Sequence, residues 1–424
     1  MITLPRRSSV PTPSRYERLG LNDLPFPTDP VLNPYSDDVR VNGGIYAQSP
    51  VQDAISKFES LLIRPDDFQN RVKIASLWAA GDVQSGRGMG KTALLRFFQQ
   101  RINSDWGATQ FNEQFSAVVI YASFRATVDR RWMEQLAWAA LVDVCQNGVL
   151  DASLAALRLE HLTDEQIDMV VNTNGNEQWS NLLDNVILES NGVSVAELTA
   201  AIERTLLNSK VEHGTAKAFA GGDFESYLRS LRRDGNLAPY YVPRDTKGLD
   251  YSRDLLFNDV VRYLRAAGYA GGYLFIDDIE NLTDQMTRRY RLEFAKEFGL
   301  CTVRPGYANT DHDFFSCVIS THQSSALPLA QAWGEAGLAA IARLDPGAPT
   351  SVELPMPTQD QAREIIIAHL DHYRINQDEN GAIAPFTEPG MTALVGKSQH
   401  PRNLLANAAR AVRHAADVLS LIHI

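Results

Sequence analysis

Three glycines alternate with other residues in the stretch SGRGMGKTALL, which runs from Ser85 to Leu95. The apolar run VKIASLWAA before it is typical of a buried strand, and TALLRFFQQRI after it has helical periodicity. In a glycine-rich turn between a strand and a helix, successive backbone N–H groups can point inward at a phosphate, and the helix adds its positive dipole end. This order therefore favours a phosphate-binding loop in an α/β fold.

The residue types after the glycines suit a nucleoside triphosphate with its metal ion. Lys91 is expected to reach the β- and γ-phosphates, and the Thr92 hydroxyl to bind Mg²⁺. Ser85 departs from the strict pattern, which has glycine six residues before the lysine. The alternative is a plain strand-to-helix turn with an exposed lysine. The residues predicted to bind the nucleotide here are Ser85, Gly86, Gly88, Gly90, Lys91 and Thr92.

Strand and helix patterns alternate along the rest of the chain, which predicts an α/β fold with a parallel sheet covered on both faces. Further strands are expected in SAVVIYASF, GYLFIDDIENL, FFSCVISTH and SVELPMP. The predicted organisation is an extended N-terminal arm over residues 1–44 that lies on the domain that follows, the two parts of a nucleotide-binding core over 45–129 and 251–357, a mostly helical insertion over 130–250, and a helical lid over 358–424.

Composition predicts a cytoplasmic protein without membrane insertion. The 424 residues are 44% hydrophobic and 21% charged, and neither a membrane-length apolar run nor a signal peptide is evident. The net charge of −11 argues against broad adhesion to nucleic acid, although a local basic patch stays possible. Cys145, Cys301 and Cys317 have no metal-ligand spacing and are expected to be buried thiols.

A second group of candidate residues follows the apolar run YLFI. Asp277 and Asp278 come directly after it, and Glu280 follows two residues later. Ligands of open α/β sheets bind at the carboxyl ends of the strands, so these carboxylates are expected near the phosphate loop. Asp277 would hold Mg²⁺ through water, and Asp278 or Glu280 would orient or deprotonate the attacking water. The alternative is a strand that ends in a polar turn.

The pair of motifs GRGMGKT and LFIDD resembles the AAA+ ATPases, over about residues 45–124 and 250–420. The resemblance implies a P-loop NTPase fold with a three-layer parallel sheet, and binding and hydrolysis of ATP with Mg²⁺. In this family a glutamate usually follows the first aspartate. Here Asp278 takes that place and Glu280 is displaced, so the catalytic base stays open and slow hydrolysis is implied.

The same resemblance implies roles for three further residues. Thr321, at the end of FFSCVISTH, would sense the γ-phosphate. Arg402, in the Pro-Arg pair that opens the last helix, would reach the nucleotide with its planar guanidinium. Arg343 would be an arginine finger that acts on a neighbouring protomer, which implies a nucleotide-dependent homo-oligomer. Each could instead be a structural or surface residue.

Within the superfamily, YERLGLNDLPF resembles the start of secretion-associated and transposition-associated ATPases, and the Pro-Arg lid resembles origin-recognition and STAND ATPases. The expected function is thus a switch or loader that controls a partner protein, with DNA as a further partner, as in replication, transposition or anti-phage defence. The insertion at 130–250 would contact that effector or DNA. A non-hydrolysing ATP-binding scaffold is the alternative, and phosphotransfer to a small molecule is disfavoured by the acidic pair.

Overall fold

The computed structural model describes residues 14–30, 36–63, 72–79, 88–104, 117–123, 132–173, 178–230, 232–233, 236–237, 251–284, 286–302, 314–321 and 323–421. Within these residues, five parallel strands form one sheet, in the spatial order β2-β5-β6-β1-β7. The strands are β1 (Ile74–Ala79), β2 (Ala117–Ser123), β3 (Arg232–Arg233), β4 (Asn236–Leu237), β5 (Gly271–Asp277), β6 (Phe315–Ser320) and β7 (Ser351–Leu354). The short strands β3 and β4 form a separate antiparallel pair. The predicted α/β class with a parallel sheet is therefore confirmed.

The central strands are apolar because both of their faces are covered. Every residue of β5 and of β6 is buried, and successive side chains of a strand point to opposite faces. The register pairs Ile276 with Ile319 and Leu77 with Ser320. Since the strands are parallel, Asp277 and Ser320 lie at the same carboxyl edge of the sheet.

Helices occupy most of the remaining described chain. They are α1 (Val39–Asn42), α2 (Gln52–Leu62), α3 (Lys91–Ile102), α4 (Trp132–Gln146), α5 (Val149–Leu159), α6 (Asp164–Val171), α7 (Asn185–Ser190), α8 (Val195–Asn208), α9 (His213–Ala220), α10 (Phe224–Ser230), α11 (Tyr251–Ala266), α12 (Glu280–Thr283), α13 (Arg288–Thr302), α14 (Gln323–Glu335), α15 (Gln359–Tyr373), α16 (Glu388–Lys397) and α17 (Pro401–Leu421). The described part of the predicted insertion consists of α4 to α10 and the β3–β4 pair.

The chain divides into two compact units. We call residues 56–78 and 98–353 the sheet unit, and residues 1–55, 79–97 and 354–424 the terminal unit. The sheet unit has a large apolar core, in which the side chains of Phe294, Phe298 and Trp333 are almost fully buried. The helical segment between β2 and β5 shares this core through residues such as Leu154.

The terminal unit has its own core, to which the N-terminal segment contributes. Tyr16, Leu21, Leu24 and Phe26 are buried among apolar side chains of α15, α16 and α17. Backbone hydrogen bonds fix this segment, with Asn22 N donating to Tyr373 O (2.8 Å) and Ile375 N donating to Gly20 O (3.0 Å). The predicted arm thus packs, over its described residues 14–26, on the helices at the other end of the chain.

Among the described helices, none is by itself long and apolar enough to cross a bilayer. Two segments separated by a 60° bend, Trp138–Gln146 and Val149–Leu159, pass that test only when they are taken together. Their buried side chains, including Leu141 and Leu154, belong to the core of the sheet unit.

Candidate functional site

The glycine turn before α3 contains two residues with left-handed backbone conformation. Gly88 and Gly90 have φ angles of +82° and +96°, a region that residues with a side chain rarely adopt. Gly90 O accepts the hydrogen bond of Leu94 N (2.9 Å), so Gly90 caps the first turn of α3. A helix N-terminus carries partial positive charge, which favours an anion in front of it.

Two side chains with predicted phosphate and metal contacts begin this helix. Lys91 is buried and Thr92 is half-buried at the first two positions of α3. Ser85 and Gly86, the other two predicted residues of the loop, lie outside the described residues. The described half of the loop therefore consists of Gly88, Met89 and Gly90 together with the start of α3.

Arg402 lies directly on this turn, within the terminal unit. Its backbone N donates to Gly88 O (3.3 Å). A Cβ atom added to Gly88 would lie 2.7 Å from Arg402 Cβ and 2.9 Å from His400 Cε1, so the close approach requires glycine. The Arg402 guanidinium is 3.8 Å from an Asp29 carboxylate oxygen, and the Arg402 side chain is 43% exposed. The structure thus brings together the glycine turn and the predicted lid arginine.

The second group of predicted residues lies in the sheet unit, at the carboxyl edge of the sheet. Asp277, the last residue of β5, is 1% exposed, and both of its carboxylate oxygens accept hydrogen bonds from hydroxyls. Tyr121 Oη donates to Asp277 Oδ2 (2.5 Å), and Ser320 Oγ donates to Asp277 Oδ1. These two donors come from β2 and β6, the strands on either side of β5. The carboxylate is therefore held in a fixed orientation.

Asp278 and Glu280, the two candidate bases, have different environments. Asp278 is half-buried and has a φ of +51°, an unfavourable conformation for a residue with a side chain, and its N donates to Ser320 Oγ (3.1 Å). Glu280 begins α12 and is only 2% exposed. Strained backbone of this kind is found more often at functional sites than elsewhere.

Thr321 follows β6 at the same edge. Its N donates to Leu77 O of β1 (3.1 Å), and its side chain is 1% exposed. Its hydroxyl makes no hydrogen bond with any of the described residues. A buried hydroxyl without a partner costs about 1–3 kcal/mol. The Thr321 hydroxyl therefore has the capacity to bind a polar group that enters at the strand end.

Arg343 lies in the exposed segment after the short 3₁₀ turn Leu338–Ala340. Its side chain is 67% exposed, and its guanidinium is 2.7 Å from an Asp345 carboxylate oxygen. Arg343 Nε donates to Asp345 Oδ2 (2.8 Å), two residues along the chain. The structure therefore places Arg343 on the surface of the sheet unit.

Tyr121 and His400 are site residues that sequence reasoning missed. Tyr121 belongs to a predicted strand, but its link with Asp277 depends on which strands are neighbours, and strand order has no local signal. A hydroxyl within the otherwise apolar run VVIYA was the one available indication. His400 precedes the Pro-Arg pair, and its contact with Gly88 arises from tertiary packing.

The donor types present suit magnesium better than a transition metal. Across the part of the chain that the structure describes, His, Cys, Asp and Glu side chains form no group of three or more that could hold a metal ion. Mg²⁺ prefers oxygen ligands, keeps several waters, and is commonly bound by one or two carboxylates together with substrate phosphates. The oriented Asp277 carboxylate and the Thr92 hydroxyl are donors of that kind.

No protein-family model, curated protein or solved structure matches this chain.

Proposed function

We propose that this chain binds ATP with Mg²⁺ and hydrolyses it, as a nucleotide-driven switch of the AAA+ type that controls a partner protein. The observation that carries the proposal is the pair of left-handed glycines, Gly88 and Gly90, directly before a helix that begins with Lys91 and Thr92. A turn of this kind can direct backbone N–H groups at phosphate oxygens.

Each residue of the first group has a role in this proposal. The backbone of the glycine turn and the start of α3 would hold the phosphates, and Lys91 would neutralise the β- and γ-phosphates. Arg402, whose backbone already contacts Gly88, would add a planar guanidinium that suits phosphate oxygens.

The second group would supply the groups for hydrolysis. Asp277 would hold Mg²⁺ through water, and the ion would offset phosphate charge as it develops. The Thr321 hydroxyl, buried and without a partner among the described residues, would bind a γ-phosphate oxygen. Asp278 is the better-supported base, because it is half-buried at the strand end whereas Glu280 is nearly fully buried.

A non-hydrolysing ATP-binding scaffold is the second candidate. The shorter side chain of Asp278 and the hydrogen bond from its backbone N to Ser320 Oγ favour it, because both restrict the reach of this carboxylate. The two candidates agree on ATP binding and differ in turnover.

Two measurements on one set of variants test the proposal. Affinity for a fluorescent ATP analogue with Mg²⁺ should fall about tenfold or more in Lys91→Ala and stay unchanged in Lys57→Ala, an exposed lysine of α2. Phosphate release should be lost in Lys91→Ala and Asp277→Ala. It should be kept in Asp53→Ala, the control, which removes an exposed carboxylate of α2. Binding without phosphate release in the wild type would select the scaffold. Failure of the wild type to bind any adenine nucleotide would refute both candidates.

The cellular role is the least constrained part of the proposal. We expect a cytoplasmic protein that loads or licenses a partner in a replication, transposition or anti-phage defence system, and that assembles with ATP. Its mass in solution, measured with ADP and with a slowly hydrolysed ATP analogue, each with and without duplex DNA, tests assembly and DNA dependence together. An unchanged monomer under all four conditions would refute the oligomeric switch.

A further inference from the structure

Four large apolar side chains are exposed among the described residues of the helical segment between β2 and β5. One of them is Leu207 of α8, which is 38% exposed, and the other three lie on neighbouring elements. Met169, Trp179 and Val186 are 49%, 52% and 75% exposed. They lie on α6, on the short 3₁₀ helix Trp179–Leu183 and at the start of α7. We call these three residues the Trp179 surface. Tryptophan and methionine are enriched in protein interfaces. Tryptophan side chains are on average highly buried, so the exposure of Trp179 is unusual.

The elements that carry the Trp179 surface are joined by hydrogen bonds. Gln178 N donates to Val171 O (2.9 Å), and Asn181 Nδ2 donates to Val170 O (3.0 Å). Asn191 Nδ2 donates to Thr173 Oγ1 (3.0 Å), which connects the ends of α6 and α7. The three exposed side chains therefore belong to one small, internally bonded cluster of elements.

Buried side chains support this cluster from below. Arg158 Nη1 donates to Leu182 O (2.6 Å), and Arg158 Nη2 donates to Asn185 Oδ1 (2.9 Å). Leu182 and Leu188 are fully buried in the core of the sheet unit. A preformed surface loses little conformational entropy when a partner binds.

The surroundings of the Trp179 surface are strongly acidic. Residues 149–203 of the sequence contain ten carboxylates and one arginine, a net charge of −9 out of −11 for the whole chain. The arginine is Arg158, which is buried. The exposed carboxylates among the described residues are Asp151, Glu160, Asp164, Glu165, Asp168, Asp184, Glu189 and Glu197.

We propose that the Trp179 surface docks a basic, amphipathic segment of a partner protein. The apolar side of that segment would cover Trp179, Met169 and Val186, and its lysines and arginines would face the surrounding carboxylates. Nucleic acid does not fit, because its phosphates would be repelled by the same carboxylates. This inference narrows the expected contact of the insertion with an effector or DNA to a protein, and it does not depend on ATP binding.

A helical peptide of lysine and leucine serves as the probe, with a glutamate–leucine peptide and a short DNA duplex for comparison. We expect the full-length protein to bind the basic peptide, with affinity that falls as salt rises, and to bind neither comparison ligand. Stronger binding of the acidic peptide or of DNA would overturn the proposal.

Matched variants separate docking from general attraction to an acidic protein. Trp179→Ala should weaken binding of the basic peptide about tenfold, whereas Ile375→Ala, which removes an apolar side chain that is 50% exposed in the terminal unit, should not. Asp168→Lys with Glu189→Lys should abolish binding, whereas Asp378→Lys with Glu379→Lys, an equal change in net charge, should not.

Equal effects of the matched variants would mean nonspecific electrostatic attraction and would refute the site. If the wild type forms a dimer without peptide, and if Trp179→Ala dissociates that dimer, the surface binds a second copy of the chain. This result would also overturn the proposal.

Discussion

Two buried tyrosines in neighbouring strands donate hydrogen bonds to different acceptors, and the type of acceptor determines how much each bond contributes to stability. Tyr121 Oη donates to the Asp277 carboxylate (2.5 Å), and Tyr273 Oη donates to the carbonyl of Leu62 (2.7 Å). Hydrogen bonds to charged groups contribute about 1.5–3 kcal/mol to stability, and those between neutral groups about 0.5–1.5 kcal/mol. The hydrogen bond from Tyr121 to Asp277 should thus contribute more to the free energy of unfolding than the bond from Tyr273 does.

We predict that Tyr121→Phe lowers the free energy of unfolding more than Tyr273→Phe does. Both substitutions remove one buried hydroxyl from a strand of the same sheet. The difference between their losses of unfolding free energy, measured in urea, therefore shows how much more a carboxylate acceptor contributes than a carbonyl acceptor. If the proposed metal site is correct, Tyr121→Phe also shifts the Mg²⁺ dependence of nucleotide binding, whereas Tyr273→Phe leaves it unchanged. Equal losses in stability for the two variants would contradict the assigned role of Tyr121.

Gly88 and Gly90 differ in what a side chain would meet. Both have positive φ, so alanine costs about 1–2 kcal/mol of backbone strain at either position. At Gly88 the new Cβ would also collide with Arg402 Cβ, at 2.7 Å, whereas at Gly90 no heavy atom of the described residues, chain neighbours aside, lies within 4 Å of the added Cβ. Gly88→Ala should therefore destabilise the protein more than Gly90→Ala, as measured by urea unfolding.

The collision at Gly88 also predicts how its effect can be relieved. The clash involves Arg402 Cβ, which cannot rotate away, and also Arg402 Cδ and His400 Cε1, which can move. Arg402→Gly should therefore restore more of the stability of Gly88→Ala than Arg402→Ala does. Non-additive effects are expected only for residues in direct contact. Additive losses in the double variant Gly88→Ala/Arg402→Gly would show that the two residues are not in contact.

At the scale of elements, the terminal unit contains packing contacts that local sequence pattern does not predict. The N-terminal segment lacks periodic apolar residues, which predicts little regular structure, and no pattern in it specifies the surface on which it packs. That surface is set by Phe26, which packs beside His369 with ring centroids 5.8 Å apart, and by Leu21 and Leu24. Contacts between residues separated by more than 300 positions depend on the assembled core and have no local signal.

His369 makes the packing of this segment sensitive to pH. The ring is buried, and its Nδ1 lies 3.1 Å from Pro25 O. Burial, with smaller contributions from the nearby positive charges of His372 and Arg40, lowers the pKa of His369 from an ordinary value of 6.5 to about 4, although the hydrogen bond with Pro25 O opposes this shift. Between these values the unfolded chain binds a proton that the folded chain does not, so stability decreases as pH falls from 6.5 towards 4.

We predict that His369 makes the free energy of unfolding fall by up to about 1.4 kcal/mol for each pH unit between 6.5 and 4. Urea unfolding of the wild type and of His369→Gln at several pH values measures it, because the variant should lose this part of the pH dependence. His414→Gln, at an exposed position of α17, is the matched control and should keep it. An unchanged slope in His369→Gln would refute the assignment.

At the scale of the whole molecule, the sequence predicts the class of fold but not its topology. Alternating apolar strands and helices predict a parallel sheet, because strands buried on both faces appear as continuous apolar runs such as GYLFI. The order β2-β5-β6-β1-β7 depends on long crossovers that have no local signal. For the same reason Asp277 could be identified as a candidate, whereas its partner Tyr121, 156 positions away, could not.

Charge distribution is a second property of the whole chain that single motifs do not reveal. The net charge of −11 appears moderate for 424 residues, yet nearly all of it lies in the segment 149–203. The remaining residues are close to neutral, so arguments from total charge about nucleic-acid binding apply to that segment and not to the rest of the molecule.

Arg343 would connect the proposed hydrolysis to the proposed assembly of protomers. Its ion pair with Asp345 is exposed, and exposed pairs are worth about 0–1 kcal/mol, so the guanidinium can change partners at little cost. If it acts on a neighbouring protomer, Arg343→Ala should keep its affinity for ATP but lower phosphate release about a hundredfold or more. Arg289→Ala is the matched control, because Arg289 is also exposed and pairs with a nearby carboxylate, that of Glu293 at 2.9 Å.

Mixing two inactive variants decides whether Arg343 acts between protomers. Arg343→Ala keeps an intact nucleotide site, and Lys91→Ala keeps an intact Arg343. In a mixed oligomer, the arginine of the second variant can therefore reach the site of the first. We predict that phosphate release returns when the two proteins are mixed, and that it does not return when Arg343→Ala is mixed with the double variant Lys91→Ala/Arg343→Ala. Activity that fails to return in the first mixture would mean that the arginine does not act in trans.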